Sequence, residues 1–130
     1  MSNPQAHARA RYLAEAALDR KAEDVLALDV SALTAFADTF LLATGTSDRH
    51  VRAVADAVVE ASRAHGAPAL GVEGYEEGRW VLIDLNDVVV HVFVAEAREY
   101  YDLDRLWADA PSIGLADTPS AAPAGGGGAR

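Results

Sequence analysis

The period of the hydrophobic positions changes several times along the 130-residue chain, and each change predicts an element. Ala10, Leu13, Ala14, Ala17 and Leu18 recur at helical spacing behind Pro4, which suits a first turn; such a narrow stripe of small side chains lets a helix lie close to a sheet. DVLALDV, 24–30, alternates Val25, Ala27 and Asp29 against Leu26, Leu28 and Val30 and reads as a strand, and DTFLLATG, 38–45, as a second. The polar turn that follows offers Ser47 or Asp48 as an N-cap. The next helix carries Val51, Val54, Ala55, Val58 and Ser62 on one face and stops at His65 and Gly66, where glycine tolerates the left-handed conformation. A very short strand is expected around Ala69 to Val72, then a glycine-punctuated bend. AREYYDLDRLWAD looks helical, with Tyr100, Leu103 and Trp107 near one stripe. These elements make up one α/β domain over 1–110, and the Pro, Ala, Ser and Gly composition of 111–130 predicts a disordered tail.

WVLIDLNDVVVHVFV, 80–94, has the strongest hairpin signal, because Asn86 and Asp87 tolerate the positive φ of a type I′ turn. With those two at the turn, Leu85 pairs with Val88, Ile83 with Val90, Leu82 with His91 and Trp80 with Phe93. Alternation then gives the hairpin two unlike faces. One, from Val81, Ile83 and Leu85 to Val88, Val90, Val92 and Val94, is wholly aliphatic and suits burial under helices. The other holds Trp80, Leu82, Asp84, Val89, His91 and Phe93. His91 therefore belongs to a mixed face, with Asp84 as its diagonal neighbour. A one-residue slip in the turn would reverse the assignment.

Composition narrows the function classes. With 51 % hydrophobic residues the chain supports one ordinary core. Twenty acidic against eleven basic side chains leave a net charge of −9, whose field repels phosphate backbones and attracts a basic partner. The absence of cysteine excludes disulfides, a catalytic thiol and thiolate metal sites. No apolar run approaches the roughly 18 residues of a membrane span, and a cytoplasmic location is expected.

Few residues suggest catalysis. Ser47 sits in TGTSDRH and not in a strained G-x-S-x-G elbow, so a hydrolase triad has little support. The four histidines, at 7, 50, 65 and 91, lack metal-ligand spacing. GTSDRH at a helix N-terminus suits a phosphate, a weak signal by itself. A magnesium site would want two converging carboxylates, yet Asp84 and Asp87 fall on opposite faces or divide between strand and turn. For the mixed face two readings stay open. His91 bonds Asp84 beneath a covering segment, or the aromatic and polar groups, extended by Glu73, Gly74, Tyr75, Tyr100 and Tyr101, form a recognition surface.

KAEDVLALDV, DTFLLATGTSDRHV, GVEG, WVLIDLNDVVVHVF and REYYDLDRLW, in that order and spacing, closely resemble the Iojap family, the ribosomal silencing factors, from about Tyr12 to Trp107. The resemblance implies a mixed-sheet α/β domain related in topology to nucleotidyltransferases but without their catalytic carboxylates. It implies a translation repressor, not an enzyme, that needs no cofactor or metal. Its partner would be large-subunit ribosomal protein fourteen at the intersubunit face, where the repressor blocks small-subunit joining with little direct nucleic-acid contact. Members of the family are often homodimeric when free. Carried over by motif, the partner surface or its support comprises Glu73, Gly74, Trp80, Asp84, His91, Arg98 and Tyr101. Trp80 and Tyr101 are expected as anchors, Glu73 and Asp84 as contacts to basic groups, Arg98 as a brace for a carboxylate such as Asp87, and His91 as a group that orients Asp84 or touches the partner. The family's usual turn glycine is Asn86 here. The alternatives are a residual nucleotide-using enzyme, with GTSDRH as phosphate cradle, and a self-associating scaffold.

Overall fold

The computed structural model describes residues 3–115. Helix α1, Pro4–Asp19, starts where the Asn3 side chain accepts the Gln5 and Ala6 N–H groups, two of the donors a helix start leaves unpaired. Ala6, Ala10, Leu13, Ala14 and Ala17 form its buried stripe. Leu18, expected on that stripe, falls just outside the arc and is 51 % exposed. Strand β1 is Glu23–Asp29 and β2 is Thr39–Gly45, every residue of which is buried. Helix α2, Asp48–Ala64, is capped by Ser47 and buries Val51, Val54, Ala55, Val58 and Ser62, the face the spacing marks. Strands β3 (Gly71–Glu73), β4 (Trp80–Asp84) and β5 (Val88–Val94) follow, then helices α3 (Ala95–Tyr101) and α4 (Leu103–Leu106) and strand β6 (Ser112–Ile113).

The six strands form one sheet in the order β3-β4-β5-β2-β1-β6. Only β2 and β5, at its centre, are parallel; the other pairs are antiparallel. A parallel pair needs a crossover, and here α2 together with β3 and β4 supplies it. The small stripe of α1 and the valine face of α2 pack on one side of the sheet, over Val81, Ile83, Leu85, Val88, Val90 and Val92. On the other side Phe40, Leu42 and Phe93 are covered by Ala97, Leu103, Trp107 and Ala110. This mixed-sheet α/β domain is the expected fold class.

The hairpin has the expected register, Trp80 opposite Phe93, Leu82 opposite His91 and Ile83 opposite Val90. Three details differ. Only Asn86 of the two turn residues has positive φ, at 80°; Asp87 N–H turns back to the Leu85 carbonyl at 3.1 Å, an i to i+2 closure in place of a type I′ turn. The Asp87 carbonyl is taken by the Asp38 and Thr39 N–H groups at the start of β2, which sets its orientation. The single helix that AREYYDLDRLWAD, 97–109, predicts is split in two, because Asp102 adopts φ 53° and closes α3 by donating to the Arg98 carbonyl. Third, the tail was expected from Pro111. Instead the Pro111 carbonyl accepts Asp29 N–H, and β6 pairs Ser112 with Leu28 and Ile113 with Ala27, burying Ile113. The remainder of that tail, from 116, lies outside the described residues.

Candidate functional site

The mixed face runs across four strands. Register aligns Glu73 with Leu82, Leu82 with His91, and His91 with Leu42; one row nearer the top of the sheet, Trp80 stands opposite Phe93 and Phe93 beside Thr44. Its two halves differ in cover. Towards β2, His91 and Phe93 are buried beneath the α3–α4 layer. Towards β3, Trp80, Leu82, Asp84 and Val89 are half-buried and Glu73 is exposed.

His91 is 5 % exposed. Trp80 Nε1–H donates to its Nδ1 at 3.1 Å, so the neutral ring carries its proton on Nε2, which has no hydrogen-bond partner among the described residues. The Phe40 ring stands edge-on at 5.0 Å. Burial pushes the His91 pKa down to about 4, so the ring is neutral near pH 7. The expected bond to Asp84 is not made. Asp84 accepts the Asn86 N–H at 2.9 Å, the local turn bond that a short carboxylate favours.

Tyr101, 49 % exposed, rests its ring 4.6 Å from that of Trp80, and Tyr100 meets Tyr101 edge-on at 5.0 Å. Arg98 fixes the helix that carries them. Its guanidinium grips both Asp104 oxygens, at 3.0 and 2.8 Å, donates to Thr44 Oγ1 at 2.9 Å and to the Asp24 carbonyl, and lies 5.7 Å from the Phe93 ring centre. The hydrogen bond from Arg98 holds the Asp104 carboxyl below its ordinary pKa. Arg98 thus braces Asp104 and not Asp87, which pairs with Arg9 of α1. Gly74 contributes backbone. At φ +80° an added Cβ would stand 2.1 Å from the Trp80 carbonyl oxygen, so only glycine lets the bend close against β4.

The structure therefore gathers Trp80, His91 and Tyr101 in one aromatic cluster and sets Glu73 and Asp84 on the same face at the β3 side. Arg98 reaches from α3 to Asp104, Thr44 and the Asp24 carbonyl, and Gly74 lies behind Trp80. Phe40 and Trp107, whose rings meet at 5.0 Å, complete the cluster, which the sequence pattern does not assign them to; the parallel register of β2 on β5 that brings Phe40 there has no local signature.

Several side chains of kinds that catalysis uses are held in structural hydrogen bonds. In GTSDRH, His50 Nδ1 accepts the Thr46 N–H at 2.8 Å, its Nε2–H donates to the Arg20 carbonyl at 2.7 Å, and Ser47 Oγ accepts the His50 N–H. The turn is tied to the end of α1. Ser31 and His7 both bond Asp29, at 2.6 and 2.9 Å, so the serine hydroxyl faces the carboxylate and not the imidazole a nucleophile needs. Among the described residues no three His, Asp or Glu side chains converge as metal ligands. None of the described helices is long and apolar enough to cross a membrane.

The model of the family described as "Ribosomal silencing factor during starvation" matches residues 3–127. The chain belongs to the ribosomal silencing factor family. It is 47 % identical over 105 residues to ribosomal silencing factor RsfS of Bacillus subtilis, covering 81 % of this chain and 89 % of that relative. A crystal structure of a Chromobacterium violaceum protein superposes with a TM-score of 0.74 at 41 % identity, over 86 % of this chain and 96 % of the other. The mouse protein named mitochondrial assembly of ribosomal large subunit protein 1 is 29 % identical over 89 residues, 66 % of this chain and 39 % of its own.

Proposed function

We propose that this silencing factor represses translation by binding the large ribosomal subunit through ribosomal protein fourteen at the intersubunit face, where its bulk keeps the small subunit from joining. The observation that carries the proposal is the half-open aromatic patch, Trp80 against Tyr101 with Glu73 and Asp84 beside it, on a chain of net charge −9. Large amphipathic rings at a partly buried position are what hot spots are made of, and flanking carboxylates favour a basic protein over rRNA. The large-subunit name of the mouse relative supports the choice of subunit.

Roles follow from position. Trp80 and Tyr101 anchor the contact, and Glu73 and Asp84 meet cations of the partner. His91 and Arg98 act from below: one holds the Trp80 indole, the other holds α3 and hence Tyr101. Gly74 keeps the β3–β4 bend closed. A standard interface of roughly 1,200–2,000 Å² is large enough for a small domain to occlude a joining surface, and no bond need be made or broken. In a bacterium the site of action is the cytoplasm, where the ribosomes are.

The test is a sucrose-gradient assay of subunit joining. Added protein should shift 70S particles to free subunits and co-sediment with the large one. Tyr101→Ala, which removes a half-exposed ring, should weaken that co-sedimentation at least about tenfold with an unchanged urea midpoint, and Trp80→Ala more so. Joining that proceeds unchanged in the presence of excess protein overturns the proposal.

A further inference from the structure

Strand β3 ends the sheet: among the described residues no strand pairs with its outer side, and all three of its residues are exposed. Such an edge presents unpaired N–H and C=O groups, which soluble proteins usually guard with lysine, proline, a bulge or a covering element. Gly71-Val72-Glu73 has no lysine or proline, and its pairing with β4 runs in unbroken register. Its guards are its shortness and the single charge of Glu73, and apolar side chains continue past it: Leu70 is 69 % exposed, Val72 40 % and Tyr75 37 %.

The two sides of this edge differ chemically. Val72 stands opposite Ile83, so alternation puts Leu70 and Val72 on the helix side of the sheet. There the Tyr75 hydroxyl donates to Asp56 of α2 at 3.1 Å, and Tyr75 lines a groove together with Val72. Glu73, opposite Leu82, stands on the mixed face. The groove, of about 600 Å³ and lined by Val72, Gly74, Tyr75, Glu76 and Glu77, opens at the end of the strand. One side thus offers hydrocarbon, and the other side and the far end offer carboxylates.

We infer that β3 is the docking edge for an extended, basic segment of the ribosomal protein partner, which adds to the sheet as a further strand. Its apolar side chains, at alternate positions, lie on Leu70 and Val72; the lysines or arginines between them face Glu73 and, at the end, Glu76 and Glu77. Main-chain bonds supply the hold and the alternation supplies the selectivity, as in other strand additions. Charge complementarity favours this occupant: 70–79 holds three glutamates against the single Arg79, in a chain already at −9. The inference rests on the function proposed above and specifies how the partner is held. Because Glu73 shares its face with Trp80, the added strand would run beside the Trp80–Tyr101 patch, making edge and face one surface.

The experiment is hydrogen exchange on the full chain, free and bound to purified large subunits, with binding of Leu70→Lys, alone and with Val72→Lys, measured beside Tyr101→Ala. Leu70 is exposed, so the single variant keeps the fold; urea midpoints check both. Outward-facing amides within 70–73 should exchange at least about tenfold more slowly in the complex, and both lysine variants should bind at least about tenfold more weakly. If Tyr101→Ala loses binding while the lysine variants bind as wild type and 70–73 stay unprotected, the edge is wrong and the repressor function stands. If the wild-type chain fails to bind large subunits at all, both fall.

Discussion

His91 occupies a buried strand position because a neutral imidazole can substitute for an aromatic ring there while accepting a bond from Trp80. That neutrality makes stability depend on pH. The folded pKa near 4 lies below the ordinary 6.5, so between those values the unfolded chain binds a proton that the folded chain refuses. Stability contributed by this site is complete above about pH 6.5 and is lost as pH falls towards 4, at about 1.4 kcal/mol per pH unit and on the order of 3 kcal/mol in all. Urea midpoints at pH 4.5 and 7 should therefore differ more in the wild type than in His91→Phe. Equal differences would mean that His91 titrates normally in the folded protein. Residue-scale roles of this kind were half legible. The hairpin spacing put His91 beside Trp80 and away from the aliphatic core, but Asp84 lay as close by register, and only the turn, by giving Asp84 the Asn86 N–H, left the indole as partner.

At the scale of elements, α3 and α4 are too short to hold themselves, since a helix of seven residues and one of four are below the length at which isolated helices persist. Packing of Ala97 and Leu103 and the Arg98 clamp hold them. Arg98→Ala removes four hydrogen bonds, among them the one to buried Thr44, and should lower stability by roughly 2 kcal/mol. It should also raise exchange in 95–106 before the rest of the sheet opens. A variant whose α3 exchanges at the wild-type rate would show that packing alone fixes it. Periodicity marked the long elements well, because α1, α2 and the hairpin bury one continuous stripe or face. It joined α3 to α4, since a non-glycine residue in the left-handed conformation at Asp102 leaves no signal in hydrophobic spacing. It also missed β6, whose two residues pair only because β1 lies alongside them.

For the whole molecule, charge is the property that acts at a distance. A chain at −9 attracts basic groups and repels phosphate backbones, so the isolated basic ribosomal protein proposed as its partner should draw it in while rRNA should not. The association rate with that isolated protein should fall several-fold as salt rises from 0.05 to 0.3 M, over which the screening length drops below about 10 Å. With intact large subunits the fall should be smaller or reversed, because salt also screens the rRNA. Stopped-flow measurement on both partners decides it; identical salt dependence would mean that the net charge plays no part in encounter.

The sequence by itself determined the helix faces, the hairpin register and the unlike character of the two sides of the sheet, because these depend on residues two to four apart or joined by one tight turn. It determined the family as well, through motifs in fixed order. Only the tertiary structure decided which half of the mixed face is covered. That depended on β2 lying parallel to β5, on α3 and α4 folding back over it, and on Arg98 finding Asp104, Thr44 and the Asp24 carbonyl. Contacts between residues dozens of positions apart are selected by the free energy of the whole assembled core, and no local pattern encodes them.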